Sequence, residues 1–445
     1  MRRGSRTWGI AFHVSRRDVQ PAREKPRAPA QASGAILTLV SSATLSRPVS
    51  WKKNLIALWF AQVGTTLGFS FTFPFYPLFF EELGGFTTER AAFWAGLAGW
   101  VFGLGMGLSS PIWGVLGDRF GRKLNVLRSL ILGGLFLTIS GFSQTPFQLM
   151  ASRFVIGATS GVVPTIMALV AAHTPRERLP FAAGIVQSGL FVGVALGPLL
   201  GGIIYDAWGM RAAFIATGAG LWSSALIVIF LVREDFHPAE SSLGLVRPFL
   251  VLWRLSTSRA MLPLYGVVFL VLAAHLMIQP AVPGLVSIVE GGSDSGTASG
   301  IVFALGGIGS AVSAVVMGWL APKVGLQRVL MAGTVLAALA ALVPYFAIDY
   351  LTLAVGFTAI ALFSGGLSGL VNGLIALRSP SGQHGAAFGS AQLAHAFGVA
   401  LGPLAGGAMV VTWGLRSVFL FEVATFVLIL LAVAALLGGR STRDE

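Results

Sequence analysis

Residues 191–214 read FVGVALGPLLGGIIYDAWGMRAAF, and residues 396–419 read AFGVALGPLAGGAMVVTWGLRSVF. The second stretch repeats the first at an offset of 205 residues. Two further regions repeat at almost the same shift. In the first, Pro74 and Pro77 correspond to Pro280 and Pro283. In the second, a set of glycines recurs, with Gly96, Gly103, Gly105, Gly114 and Gly121 corresponding to Gly300, Gly307, Gly309, Gly318 and Gly325. Because three regions recur in the same order along each half, the sequence predicts an internal duplication.

The composition indicates that the duplicated chain lies in a membrane. Of its 445 residues, 55% are hydrophobic and 11% are charged, and the mean hydropathy is +0.80, whereas a soluble protein of this length needs more polar surface. Residues 1–53 hold 11 of the 30 basic residues but only Asp18 and Glu24 as acids, and this tail location argues against nucleic-acid binding. The chain has no cysteine, which excludes disulfides and thiolate metal sites, and we expect no metal centre.

Apolar runs of about 20 residues, the length that crosses the hydrocarbon layer as a helix, occur twelve times. They lie near residues 54–80, 91–113, 124–143, 147–170, 181–205, 212–232, 261–285, 297–320, 326–346, 350–376, 386–411 and 415–437. We therefore predict an all-α integral membrane protein with twelve transmembrane helices in two six-helix bundles. The expected organisation is a disordered basic tail at 1–50, a first bundle at 51–232, a cytoplasmic linker at 233–260, a second bundle at 261–437 and a cytoplasmic tail at 438–445.

Basic residues concentrate in alternate loops between the apolar runs, which predicts the orientation of the chain. The loop around residues 114–128 is rich in them, whereas the loops of the other set hold only Arg90, Arg211 and Arg416. Since loops rich in Lys and Arg stay in the cytoplasm, both termini are predicted to be cytoplasmic.

The stretch GVLGDRFGRK (114–123) concentrates charge between the second and third apolar runs. It resembles the loop signature of the major facilitator superfamily, in which a glycine-spaced turn carries Asp-Arg and then Gly-Arg-Lys. The resemblance implies two bundles that rock about a central substrate site, with this loop latching them together at the cytoplasmic face. The predicted latch residues are Gly114, Asp118, Arg119, Gly121, Arg122 and Lys123. Asp118 is expected to face the positive N-terminal end of the eleventh helix.

Two further stretches resemble one branch of this family, the bacterial twelve-helix drug/proton antiporters. RFVIG (153–157) resembles the family's membrane-embedded arginine followed by glycine, and GVALGPLLGG (193–202) resembles the antiporter signature. An interior proline cannot donate to the carbonyl four residues earlier, so we expect the helix to bend there. The predicted hinge residues are Gly193, Gly197, Pro198, Gly201 and Gly202, with Gly402 and Pro403 in the repeat.

Five polar residues in the apolar runs are candidates for proton coupling or for the substrate cavity, namely Arg153, Gln62, His275, Gln279 and His395. Arg153 is expected about 10 Å inside the membrane, facing the cavity and bonded to backbone or to Gln62. Snorkelling of its long stem to the outer interface is the alternative. His275 and Gln279 are four residues apart and are predicted to share a helix face.

The resemblance implies proton-driven efflux of small amphiphilic drugs by alternating access, from the inner membrane of a bacterium, with no enzymatic activity. A proton gradient is the expected energy source, so no cofactor is required. The expected partners are a small-molecule substrate, protons and the lipid bilayer, and we expect a monomer. Two alternatives stay open, and they are proton-coupled transport of a metabolite such as a sugar or organic acid, and a non-transporting membrane sensor.

Overall fold

The computed structural model describes residues 50–234, 258, 261–291, 295–379 and 384–438. Within these ranges the chain is helical apart from short turns, and no β-strand occurs. The predicted tails and most of the predicted linker, at residues 1–49, 235–257 and 439–445, lie outside the described residues.

The first half contains six membrane-crossing units, numbered α1 to α6. Its first unit, α1, consists of Trp51–Thr72 and Tyr76–Gly84, joined by the 3-10 turn Phe73–Phe75. The others are α2 (Thr88–Phe120), α3 (Arg122–Ser140), α4 (Pro146–Ala158 with Val162–His173), and α5 and α6, which share the run Leu179–Leu231. Inside that run Gly209 has a φ of 78°, outside the helical range, and this residue separates α5 from α6.

The second half follows the same plan with α7 to α12. These are α7 (Leu262–Met277 with Val282–Glu290), α8 (Ser295–Val324), α9 (Leu326–Phe346), α10 (Tyr350–Ser364 with Leu367–Arg378), α11 (His384–Trp413) and α12 (Ser417–Gly438). Equivalent helices also begin alike. The Thr145 side chain caps α4 by accepting from the Gln148 N–H, and the Asp349 side chain caps α10 by accepting from the Thr352 N–H.

Twelve crossings account for the helices of the described residues. Ten helical runs are long and apolar enough to span a membrane, and one of them, Phe181–Leu231, has 51 residues. At 1.5 Å per residue this run is about 77 Å long, enough for two crossings. α4 is the twelfth crossing. It is not one of the ten long runs because the break at 159–161 divides it into two short segments. The predicted all-α membrane fold of twelve helices in two groups of six is confirmed.

The internal repeat is visible in the backbone angles. Three pairs of glycines with positive φ recur at offsets of 206, 204 and 205 residues, and these are Gly85 (57°) with Gly291 (63°), Gly121 (101°) with Gly325 (103°), and Gly209 (78°) with Gly414 (83°). The angles within each pair agree to within 6°. The two halves therefore turn at the same points and in the same way, as duplicated bundles should.

The two halves meet through two crossed pairs of helices, α2 against α11 and α5 against α8. Glycines allow the backbones to approach there. A Cβ added at Gly300 on α8 would lie 2.5 Å from the Pro198 carbonyl oxygen on α5, and a Cβ added at Gly96 on α2 would collide with the Pro403 carbonyl oxygen on α11. Gly96 and Gly300 are equivalent positions of the repeat, and so are Pro198 and Pro403. The halves thus meet through a two-fold related pair of contacts.

The same helices diverge towards their other ends. Gly318 lies five turns beyond Gly300 and on the same face of α8, yet a Cβ added there would meet no atom of the described residues within 4 Å. The same holds for Gly184 on α5, five turns before Gly202, and for Gly107 on α2. We call the end at which the backbones touch the closed end. The other is the open end, and the turn at Gly121 between α2 and α3 lies there.

Candidate functional site

Arg153 is buried in an aromatic pocket rather than extended towards the membrane surface. Its side chain is 3% exposed, which rules out the snorkelling alternative in this conformation. Nη1 donates to the Tyr76 hydroxyl at 3.3 Å, and the guanidinium carbon lies 5.5, 4.7 and 4.6 Å from the ring centres of Phe73, Tyr76 and Phe102. No acidic side chain among the described residues forms an ion pair with it. The rings therefore provide its main electrostatic stabilisation.

The break in α1 creates this pocket. Pro74 and Pro77 cannot donate backbone hydrogen bonds, and the helix tightens to a 3-10 turn over Phe73–Phe75. The turn places Phe73 and Tyr76 over the guanidinium. The expected bond from Arg153 to Gln62 is not formed, because the Gln62 amide lies more than three helical turns before Tyr76 and donates to Thr66 Oγ1 at 2.9 Å.

A small cavity of about 10 Å³ joins this pocket to the second half, and it has room for about one water molecule. Its lining comes from both halves and consists of Phe73, Pro74, Tyr76, Pro77, Ala95, Gly99, Arg153, Gln279, Pro280 and Pro403. Arg153 Nε and Gln279 Oε1 are buried atoms that have no hydrogen-bond partner in the described part of the chain. The structure therefore brings together three residues that were predicted as functional candidates on separate grounds, namely Arg153, Gln279 and Pro403.

The two candidate histidines do not line this cavity. The prediction that His275 shares a helix face with Gln279 is wrong, because the first segment of α7 ends at Met277 and Gln279 lies in the turn before Pro280. His275 is partly buried in α7, and His395 is partly buried in α11 with its Nδ1 unbonded. They remain candidates for proton coupling.

The predicted hinge residues lie at helix contacts. Cβ atoms added at Gly193, Gly197 and Gly201 would meet α1, one added at Gly202 would meet Gly296 on α8, and one added at Gly402 would meet Ala273 on α7. α5 and α11 continue through Pro198 and Pro403, and the carbonyls of both prolines face glycines of the opposite half. A hinge role for the prolines stays a prediction. Their place in the contact between the halves is a finding.

Asp206 at the end of α5 joins the halves at the closed end. Its carboxylate oxygens accept hydrogen bonds from the Gly296 N–H at 3.1 Å and the Thr297 N–H at 2.6 Å, both in the first turn of α8. These amides carry the positive end of the helix dipole, so the bonds are charge-assisted. Sequence reasoning missed Asp206. The signal was available, since the repeat has Val411 at the equivalent position.

We call the Asp206 contact with the start of α8 the first clasp. The charged loop (114–123) takes part in a second clasp, in which an acidic side chain again bonds to the start of another helix, and this one lies within the first half. Glu234, just after α6, accepts from the Arg122 N–H at 2.9 Å and the Lys123 N–H at 2.8 Å at the start of α3. In return, Lys123 Nζ donates to the carbonyls of Ile229 and Val232 at the end of α6, at 2.9 and 2.7 Å. The carboxylate and the ammonium thus cap the ends of two antiparallel helices.

The predicted latch residues do not act together in this structure, because they have different contacts. The Arg122 side chain donates to the Ala168 carbonyl of α4 at 3.1 Å, and Arg119 is exposed beside the Phe120 ring. These bonds of Arg122 and Lys123 stay inside the first half, so neither residue latches the halves in this conformation. The side chain of Asp118 and the surroundings of Gly114 lie outside the described residues, and the latch role of Asp118 stays a prediction.

Known proteins resemble this chain along most of its length. Residues 58–293 and 264–445 match the model of the Major Facilitator Superfamily. The chain is 31% identical over 375 residues to the multidrug resistance protein MdtG of Klebsiella pneumoniae (strain 342), covering 84% of this chain and 90% of that protein. MdtG of Escherichia coli O1:K1 / APEC is 29% identical over 374 residues, covering 84% and 91%. The crystal structure of the nucleoside transporter NupG shares the fold, with a TM-score of 0.69 at 15% identity over 87% of this chain and 100% of that one.

Proposed function

Since the chain belongs to the major facilitator superfamily, we propose that it is a secondary active transporter that exports small amphiphilic drugs by alternating access. The observation that carries the proposal is the pair of duplicated halves that touch at one end and diverge at the other. A transporter of this design exposes one central site first to one side of the membrane and then to the other. The multidrug resistance relatives favour drug efflux over the metabolite and sensor alternatives.

We propose that the open end faces the cytoplasm of a bacterial cell, in its inner membrane, with both chain termini on that side. The support is the concentration of Lys and Arg in the loops of the open end. In this orientation the structure is the inward-facing state, ready to take cargo from the cytoplasm. The protein works as a monomer and needs no cofactor.

In this orientation the closed end faces the outside of the cell, and the contacts between the halves at that end form the outer gate. Cargo can leave only if α5 separates from α8 and α2 separates from α11, so that the glycine contacts and the Asp206 bonds are broken together. Asp206 is charged and holds the start of a helix, and its bonds therefore favour the inward-facing state over the outward-facing one. When the outer gate opens, Gly107, Gly184 and Gly318 provide the equivalent close-packing surface at the cytoplasmic end.

Arg153 fixes a positive charge just beneath the outer gate. Opening the gate separates Pro403 and Gln279 from Gly99 and exposes the aromatic pocket to the outside. We propose that a proton gradient drives the cycle and that Arg153 belongs to the coupling machinery, because this cation is buried with no counter-ion among the described residues, at the point where the halves separate. The duplicate half has Phe357 at this position, so the fold itself does not require the charge.

Accumulation of a fluorescent amphiphilic dye in bacterial cells tests this function. Cells that make the wild-type protein should retain several-fold less dye than cells without it, and a proton uncoupler should abolish the difference. Arg153→Ala, made at normal abundance, should behave like the empty cells. Equal dye retention with and without the wild-type protein, over a panel of neutral, cationic and anionic dyes, would contradict drug efflux. A difference that survives the uncoupler would contradict proton coupling.

A further inference from the structure

A groove of about 290 Å³ lies between the starts of α1 and α5 at the open end. Trp51, Lys52, Arg178 and Phe181 line it, so it combines two cations with two aromatic rings, and none of the described lining residues is acidic. Trp51 is the first residue of α1, and Phe181 begins the apolar run of α5. The groove therefore lies at the level at which both helices enter the membrane.

The two cations of the groove have no acidic partner in the described part of the chain. Lys52 is exposed, and its Nζ lies 5.9 Å from the centre of the Trp51 ring. Arg178 is exposed at the end of a 3-10 turn, and the bond that it forms with the described residues runs from its backbone N–H to the Pro175 carbonyl. Two unpaired cations at one groove attract a single anionic group, and a guanidinium favours phosphate because it donates two parallel hydrogen bonds.

An apolar track leads from this groove into the membrane. Ile56 and Phe60 follow Lys52 at four-residue spacing and so share its face of α1, and they are 59% and 51% exposed. Phe181 on α5, which lines the groove, is 60% exposed. A soluble anion would use only the two cations. A molecule with a phosphate head and hydrocarbon chains matches both the charged groove and the track.

We propose that this groove binds the headgroup of an anionic phospholipid, with the phosphate between Lys52 and Arg178. The acyl chains run along Ile56 and Phe60, and the two aromatic rings lie at the glycerol level, where aromatic side chains are enriched. Basic pockets at the cytoplasmic ends of membrane helices recognise anionic lipids in this way. The site lies apart from the cavity at Arg153 and from both clasps.

Lipid binding to the purified full-length protein, followed by native mass spectrometry, tests the proposal without a transport assay. Phosphatidylglycerol and phosphatidylcholine with identical acyl chains are compared, and inorganic phosphate is added as a competitor. Wild type should retain phosphatidylglycerol at much lower concentration than phosphatidylcholine. The double variant Lys52→Gln/Arg178→Gln should bind phosphatidylglycerol about tenfold or more weakly, since each basic residue near the surface contributes on the order of 1 kcal/mol.

The matched control is Lys323→Gln/Arg328→Gln, which removes two exposed basic residues from the same end of the second half. Lys323 also lies beside an aromatic ring, 3.2 Å from the centre of Trp319, so the control removes a similar local chemistry. It should bind phosphatidylglycerol as wild type does. If the double variant is not folded in detergent, Arg178→Gln alone takes its place, with an expected loss of about fivefold.

Three results would overturn the proposal. The first is equal binding of phosphatidylglycerol by the groove variant and wild type, and the second is an equal loss in the control. The third is displacement of the lipid by millimolar inorganic phosphate, which would identify a site for the free anion instead of a lipid. Because binding is read directly, each of these results is independent of whether the protein exports drugs.

Discussion

The carboxylate of Asp206 accepts a hydrogen bond of 2.6 Å from the backbone N–H of Thr297, across the boundary between the two halves. The bond fixes the end of α5 to the start of α8, and the Gly296 N–H adds a second bond to the same carboxylate. The repeat equivalent of Asp206 is Val411, whose side chain has no hydrogen-bond acceptor. Two nearly equivalent contacts between the halves therefore differ, because among the described residues a carboxylate bridges the α5–α8 contact and has no counterpart at Val411.

Asp206→Asn should shift the protein towards the state that is open at the present closed end. The amide has one acceptor oxygen and no charge, so a charge-assisted bond is lost. The reporter is Ala95→Cys, which lines the closed cavity in a chain that has no other cysteine. We expect a membrane-impermeant thiol reagent, added from outside, to label this cysteine several-fold faster in Asp206→Asn.

The control for this variant is Asp349→Asn. Asp349 also caps a helix at the closed end, but its partner Thr352 lies in the same half, and the Thr352 backbone N–H lowers the pKa of the Asp349 carboxyl below its ordinary value. The control therefore removes a charged cap without touching the boundary. It should leave the labelling rate unchanged. Equal acceleration in both variants would assign the effect of Asp206 to general destabilisation.

Gly300→Val and Gly318→Val should trap opposite states of the transporter. At Gly300 the new Cβ would lie 2.5 Å from the Pro198 carbonyl oxygen, so the closed end cannot form as it does here. At Gly318 the same change meets no atom within 4 Å in this conformation and should obstruct closure of the open end instead. We expect Gly300→Val to accelerate labelling of Ala95→Cys and Gly318→Val to slow it. Labelling that changes in the same direction in both would refute the two-ended arrangement.

Arg153→Ala should abolish efflux, whereas Tyr76→Phe should reduce it only slightly. The first change removes the charge and its contacts with three rings, each worth about 0.5–2 kcal/mol. The second keeps the Tyr76 ring and removes only the hydroxyl that accepts at 3.3 Å. Arg153→Lys should keep partial activity, because the charge remains but the planar stacking does not. Initial rates of dye efflux at matched abundance measure all three. Wild-type efflux by Arg153→Ala would remove Arg153 from the mechanism.

Glu234→Gln should destabilise the first half. It removes the carboxylate charge from the first turn of α3, which is worth about 1 kcal/mol in the free energy of unfolding. Thermal unfolding of the purified protein measures the change. Glu177→Gln removes a carboxylate at an exposed position of the same end and should have no effect. An unchanged unfolding temperature for Glu234→Gln would show that the clasp with Lys123 adds no stability.

The architecture could be predicted from the sequence because it depends on features that repeat along the chain. Apolar runs of membrane length predicted the twelve helices, and the repeated prolines and glycines predicted the duplication that appears in the paired φ angles. Arg153 could also be selected, since a charge inside an apolar run needs a specific environment.

The bonding partners of Asp206 and Glu234 could not be predicted in the same way, although the asymmetry of Asp206 and Val411 in the repeat was visible. Asp206 and Glu234 bond to backbone N–H groups of helices that are distant in sequence, and a backbone donor leaves no trace in residue type. Glu234 also fell just inside a stretch predicted to be a linker. The helix face proposed for His275 and Gln279 failed because Pro280 and Pro283 interrupt α7, as Pro74 and Pro77 interrupt α1.

Two spin-label distances on the same pair of helices test whether one end of the bundle closes as the other opens. Labelled cysteines at Arg90 and Thr412 report on the closed end of α2 and α11, and labelled cysteines at Leu108 and Phe388 report on their open end, all at exposed positions. On reconstitution with an exported drug and a change of pH, we expect the Arg90–Thr412 distance to lengthen as the Leu108–Phe388 distance shortens. Distances that stay fixed, or that lengthen together, would contradict this expectation.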